Sequence, residues 1–152
     1  MRKASLASRL ADAATAADDH AADAENSQRV VDYLQEVMSS CKVDQYQKEI
    51  SKQRSAYLLR AVGCRLAIWN ETKKPEQAEE LARLFAALAD SSWTDGSIDQ
   101  KAAQSNKTFW HNQALRAWGE CSKSAEERGE IEQAEHCCTK VLELLQDQEL
   151  NA

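Results

Sequence analysis

Apolar side chains recur at helical spacing over two long stretches of the chain, residues 43–70 and 98–127. Positions that repeat every three to four residues are typical of amphipathic helices. Each long stretch carries a second apolar row beside the first, which predicts a helix covered from two sides. The first stretch has the rows Val43, Tyr46, Ile50, Tyr57, Ala61, Cys64, Ile68 and Leu58, Val62, Leu66, Trp69; the second has Trp110, Ala114, Ala117, Trp118, Cys121, Ala125. No strand-like alternation is present, so the pattern predicts an all-α protein.

Shorter segments carry one apolar row each. The rows are Val30, Leu34, Val37, Cys41, then Ala78, Leu81, Phe85, Leu88, then Ile131, Ala134, Cys138, Val141, Leu145. Polar or turn-forming breaks separate the segments near 18–23, 39–44, 70–77, 90–97 and 127–130. Pro75 is suited to the first turn of a helix and Gly129 to a helix end. The breaks therefore predict about six helices.

The chain repeats itself with an offset of 55 or 56 residues. LRAVG at 59–63 returns as LRAWG at 115–119, and PEQAE at 75–79 returns as IEQAE at 131–135. The shorter match VDQ at 43–45 and IDQ at 98–100 precedes them, and a fainter copy begins near residue 23. Repeats of this kind are typical of stacked helical hairpins.

We therefore predict one domain, 1–152, built from three stacked antiparallel hairpins at approximately 4–41, 43–90 and 97–149. A closed helical bundle is the alternative. Gly63 and Gly119 occupy matching places inside the long helices, where glycine costs about 1 kcal/mol relative to alanine. Their repetition predicts a close approach of a neighbouring helix at both points.

The last hairpin resembles a tetratricopeptide (TPR) repeat. Trp118 stands at the aromatic position of that family's first helix, and Gly129 at the glycine that opens the second. Ile131 and Ala134 follow at the apolar and small positions, and TKVLEL at 139–144 is similar to the usual end of that helix. The resemblance implies a right-handed array of helical hairpins that binds a peptide or helix of a partner.

The likeness is good over about 115–146 and loose over 59–90. The period near 55 departs from the 34 residues of the family because the first helices are about twice as long. By the family's pattern, Cys121 and Cys138 take core positions, which implies buried side chains at both.

Bulk composition narrows the classes of function. A net charge of −6 disfavours binding to phosphate backbones, and no apolar run reaches the length of a membrane span. The five cysteines are odd in number and fit no disulfide framework, so free thiols and a cytoplasmic location are expected. The first twenty residues lack the apolar core of a secretory signal.

No catalytic or metal-binding motif stands out. His136, Cys137 and Cys138 are the densest candidate ligands, but neighbouring cysteines on a helix point about 100° apart and rarely share a metal. No histidine stands in a recognisable catalytic context. We predict a protein that is not an enzyme and uses no metal or cofactor.

Basic residues concentrate on the predicted long helices and acidic residues on the short ones. A comparatively positive long-helix side suits an acidic peptide, while pairing within the chain is the open alternative. We predict a non-catalytic protein–protein interaction module whose partner contacts include Arg60, Arg116 and Lys123. Trp93, in a polar loop, is either a partner anchor or a hydrophobic cap. The alternative function is a self-associating structural protein, a homodimer or larger homo-oligomer without a peptide groove.

Overall fold

The computed structural model describes residues 2–40, 43–91 and 100–150, and these residues form six α-helices without a strand. The all-α prediction is confirmed. The helices are α1 Arg2–Ala16, α2 His20–Ser40, α3 Asp44–Thr72, α4 Pro75–Ala89, α5 Gln100–Glu127 and α6 Ile131–Leu150. α3 and α5 are the long helices, with 29 and 28 residues.

Local chemistry explains where the helices begin and end. Pro75 is the first residue of α4, where its missing N–H costs nothing. Gly129 has a φ of +72° in the turn from α5 to α6, a conformation that suits glycine. Asp19 precedes α2, and its Oδ1 accepts a hydrogen bond from the backbone N–H of Ala22 at 3.0 Å. Each of these residues lies in a break that the sequence predicts.

Each helix packs mainly against the helix before it and the helix after it in the chain. α3 thus lies against both α2 and α4, as its two apolar rows predict, and α5 lies against both α4 and α6. This succession of neighbours is consistent both with stacked hairpins and with a helical bundle. The right-handed sense of the array stays a prediction.

The main core runs from α2 to α6 through the middle of this succession. Trp69 and Trp118 are buried in it, as predicted, and Phe85 stacks on Trp110 with ring centroids 5.9 Å apart. A smaller cluster joins α1, α2 and the start of α3 and is centred on Leu34 and Ile50. The apolar row predicted for α4 is buried throughout.

The expected close approach at the two interior glycines is wrong. Gly63 and Gly119 are both exposed, and a Cβ built at either position meets no atom within 4 Å. The repeat places the two glycines on the solvent side of their helices, so no neighbouring helix requires them there.

The apolar row predicted for α6 is displaced by one position in part of the helix. Cys137 is fully buried and Cys138 is exposed, so the TPR-derived core position for Cys138 is wrong while that for Cys121 is confirmed. Ile131 and Leu145 are exposed as well. Adjacent residues on a helix differ by about 100° in direction, and the packing of α5 selects Cys137.

Cys121 and Cys137 are joined by a disulfide bond between α5 and α6. The expectation of free thiols is wrong for this pair, because antiparallel packing brings together positions on either side of the Gly129 turn. Cys64 is a free buried thiol and Cys138 a free exposed one. The expected cytoplasmic location was based on free thiols, so the disulfide removes that argument. The location stays a prediction.

Candidate functional site

Arg60, a predicted partner contact, binds three side chains of α1 and α2. Its Nε donates to Asp23 Oδ1 at 2.8 Å, its Nη1 to Asp12 Oδ1 at 2.9 Å and its Nη2 to Thr15 Oγ1 at 2.6 Å. The guanidinium also lies 5.9 Å from the ring centroid of Tyr57. All three nitrogens of the guanidinium group thus form hydrogen bonds within the chain, and Arg60 connects α3 to α1 and α2.

Asp23 is the buried member of this network, with 4% of its surface exposed. Thr15 Oγ1 donates to its Oδ2 at 2.5 Å and Ser27 Oγ to its Oδ1 at 3.1 Å. Burial alone would raise the pKa of Asp23, but the hydrogen bonds from Thr15 and Arg60 and the charge of Arg60 outweigh it and lower the pKa. The carboxylate is therefore held in its charged form.

Arg116 and Lys123 have no comparable engagement. Both are exposed on α5, and within the described residues neither makes a hydrogen bond or an ion pair. They are seven residues apart, so they lie on the same side of the helix. Gly119 lies between them and leaves the surface low at that point. These two cations are free to meet a partner.

Large apolar side chains are exposed on both long helices. Leu59 and Leu66 flank Gly63 on α3, and Phe109 precedes Arg116 by two helical turns on α5. We use the name long-helix face for these exposed residues together: Leu59, Gly63 and Leu66 of α3, and Phe109, Arg116, Gly119 and Lys123 of α5. The sequence assigned Leu66 to a core row and did not single out Leu59 or Phe109.

A cleft of about 260 Å³ opens beside Gly63, between α3 and the turn that joins α1 to α2. Arg60, Asp23 and Cys64 lie in its wall. Burial, followed by the charge of Asp23, raises the pKa of the Cys64 thiol to about 11. The thiol is therefore protonated at neutral pH and is a poor nucleophile.

The candidate metal ligands on α6 have other roles. His136 Nε2 lies 3.4 Å from Glu79 Oε1, Cys137 is in the disulfide, and Cys138 Sγ lies 3.0 Å from Ser122 Oγ. Within the residues that the structure describes, no group of three or more His, Cys, Asp or Glu side chains is placed to hold a metal ion.

Glu79 connects α4 to α6 in a way that the sequence did not predict. Its Oε2 accepts from Gln133 Nε2 at 2.8 Å and its Oε1 from Arg83 Nη2 at 2.7 Å. Burial alone would raise the pKa of Glu79, but the hydrogen bonds from Arg83 and Gln133 outweigh it and lower the pKa. Glu79 ends the first EQAE motif and Gln133 belongs to the second, so the repeated motifs contact each other. The repeated EQAE motif was the signal in the sequence from which this contact could have been predicted.

Trp93 lies outside the described residues, so its role as anchor or cap stays a prediction. None of the described helices is both long enough and apolar enough to cross a membrane. No protein-family model, curated protein or solved structure matches the chain. The resemblance to TPR repeats therefore stays a prediction based on the residues that carry it.

Proposed function

We propose that the protein is a non-catalytic protein–protein interaction module that binds a peptide or helix of a partner on the long-helix face. The observation that carries this proposal is the exposure of Phe109 on the same side of α5 as Arg116 and Lys123, which have no partner within the described residues, together with the exposure of Leu59 and Leu66 on α3. Exposed apolar side chains beside polar groups are characteristic of protein-binding surfaces.

The face has the chemistry to select an acidic partner. Arg116 offers a planar fork that binds a carboxylate through two hydrogen bonds, and Lys123 adds a second positive charge two turns away. Gly63 and Gly119 lower the surface, so a partner backbone can approach the helices closely. Apolar contacts supply affinity, and the cations fix the orientation of the bound segment.

Arg60 has a supporting role in this proposal. Its hydrogen bonds to α1 and α2 hold the start of the array against α3, beside the exposed side chains of that helix. The sequence left open whether the basic residues pair with acidic residues of the same chain. Arg60 does so, with acidic residues of α1 and α2. Arg116 and Lys123 remain the residues assigned to the partner.

Affinity capture with a chemical cross-linker, from cells that make the protein, tests the proposal. The bait carrying Arg116→Glu and Lys123→Glu is expected to lose the partner that the wild type recovers. A bait carrying Lys3→Glu and Lys107→Glu has the same change in charge, at exposed positions on α1 and on the side of α5 opposite Arg116 and Lys123. It should recover the partner normally. Equal recovery by all three baits, or no specific partner of the wild type, would refute the long-helix face.

A further inference from the structure

α6 exposes a row of apolar side chains that its counterpart α4 keeps buried. Ile131 is 70% exposed, Leu142 60% and Leu145 42%, with the exposed Cys138 between them. Fifty-six residues earlier, the positions equivalent to Ile131, Cys138 and Leu145 are buried: Pro75, Ala82 and Ala89. α4 packs against both α3 and α5, whereas among the described helices α6 packs chiefly against α5. The exposed row is therefore the place where a further helix would follow in the array.

The polar contact between repeats leads to the same conclusion. Glu79 of α4 accepts a hydrogen bond from Gln133 of the following repeat, and Arg83 pairs with it. Its equivalent on α6 is Glu135, which is exposed and whose carboxylate has no partner within the described residues. An acceptor used between the earlier repeats is thus free beside the exposed apolar row.

α1 offers an exposed apolar surface of opposite charge. Leu6 is 60% exposed and Leu10 45%, and they lie one turn apart on its outer side. Arg2 and Arg9 flank them, exposed and without a partner in the described residues. The basic side chains of α1 are Arg2, Lys3 and Arg9, and its one acid, Asp12, is bonded to Arg60. α1 therefore presents two leucines within a positive surface.

The surroundings of the α6 row are negative. The described acidic side chains of α6 are Glu132, Glu135, Glu143 and Asp147, against the single base Lys140. From Ile131 to Leu145 the row is about 21 Å long, and the 15 residues of α1 span about 22 Å. α1 is thus long enough to lie along the whole row, both surfaces are apolar at their centre, and their charges are opposite in sign.

We propose that the protein binds a second copy of itself head to tail, with α1 of one copy packed on the exposed row of α6 of the other. With α1 antiparallel to α6, Leu6 covers Leu142 and Leu10 covers Cys138, since each pair of positions is one turn apart, and Arg9 pairs with Glu135. α1 then follows α6 as α5 follows α4, so the array continues from one copy into the next. The long-helix face is not used, and this contact stands independently of the function proposed above.

The contact has two different surfaces, so a pair of copies leaves one of each surface free and a third copy adds in the same way as the second. A single helix-on-helix contact is smaller than a standard stable interface, so the association is reversible and depends on concentration. The opposed charges make it weaker at high salt.

Sedimentation velocity over a range of protein concentrations tests the proposal. The average mass should rise from the 17.0 kDa of one copy and pass twice that value as concentration increases. Leu142→Glu and Leu6→Glu should each abolish the rise, and Leu59→Glu, an exposed position on α3, should leave it unchanged. A wild type that stays a single copy up to roughly 1 mM, where a millimolar Kd is visible, overturns the proposal.

Mixing separates head-to-tail packing from packing of like surfaces. The Leu142→Glu variant retains its α1 surface and the Leu6→Glu variant its α6 row, so an equimolar mixture should form pairs that grow no further. If the Leu6→Glu variant alone still associates, α6 binds α6 and the proposal is wrong. A mixture that remains single copies overturns it equally.

A charge exchange provides a test that leaves the leucines in place. Arg9→Glu and Glu135→Arg are both surface changes, and circular dichroism verifies that each variant keeps its helices. Each is expected to weaken association about tenfold, and a mixture of the two should recover part of that loss through the restored opposite charges. The absence of any weakening in either variant would contradict the pairing of Arg9 with Glu135.

Discussion

Replacing Gly63 or Gly119 with alanine is expected to stabilise the protein. Both glycines lie inside long helices, where alanine is favoured by about 1 kcal/mol, mainly because the unfolded chain loses less freedom on folding. The added methyl meets no atom within 4 Å at either position, so no steric cost opposes the gain. The methyl stays exposed and adds little by burial. The expected gain is about 0.5 to 1 kcal/mol for each substitution and about twice that for the pair.

Urea denaturation followed by circular dichroism measures the change. The midpoint should rise without a change in slope, and the melting temperature should rise by about 2 to 4 °C for each kcal/mol. Gly129→Ala is the matched control, because its φ of +72° makes alanine unfavourable by about 1 kcal/mol or more. A loss of stability at Gly63 or Gly119 would mean that another part of the molecule packs there, and it would refute the solvent exposure of that position.

The substitution Arg60→Met should lower the free energy of unfolding at pH 7 by about 2 to 3 kcal/mol, because it leaves Asp23 buried without its cation. The loss is smaller than for a fully buried ion pair because the side chain of Arg60 is 27% exposed. The lowered pKa of Asp23 stabilises the folded state above its unfolded pKa of about 3.9, and this contribution is lost as pH falls through the folded pKa. Urea titrations at several pH values should show that the free energy of unfolding falls less steeply at acid pH in Arg60→Met than in the wild type. An equally steep fall in the two proteins would exclude the pairing of Arg60 with Asp23. For the thiols, iodoacetamide at pH 8 with peptide mapping should modify Cys138 readily and Cys64 only after unfolding, because burial and a pKa of about 11 suppress its thiolate. Equal rates at the two would disprove the burial of Cys64.

Helix number, helix length and most boundaries could be read from the sequence. The low counts of glycine and proline leave few places for a turn, so Pro75 and Gly129 mark breaks with little ambiguity. The two apolar rows of α3 correctly indicated neighbours on both sides. Spacing at three to four residues constrains the direction of every side chain on a helix, and this is sufficient to assign a helix and its buried side.

The partners of polar side chains could not be predicted in the same way. Arg60 and Arg116 are equivalent in the repeat, yet Arg60 meets acids of α1 and α2 while Arg116 faces solvent. The difference comes from the helices that precede each one, which the repeat does not specify. For the same reason Ile131 and Leu145 looked like core residues, although no described helix covers them. Identical patterns have different surroundings at different places in an array.

The order in which the helices pack also has a consequence for folding. Because each helix meets chiefly its immediate neighbours in the chain, few contacts require the closure of a long loop, and the entropic barrier to folding is low. Proteins organised in this way behave as a line of coupled units, in which structure spreads from any stable pair towards both ends. Pulled from its termini, such a protein should unravel one helix after another rather than in a single event.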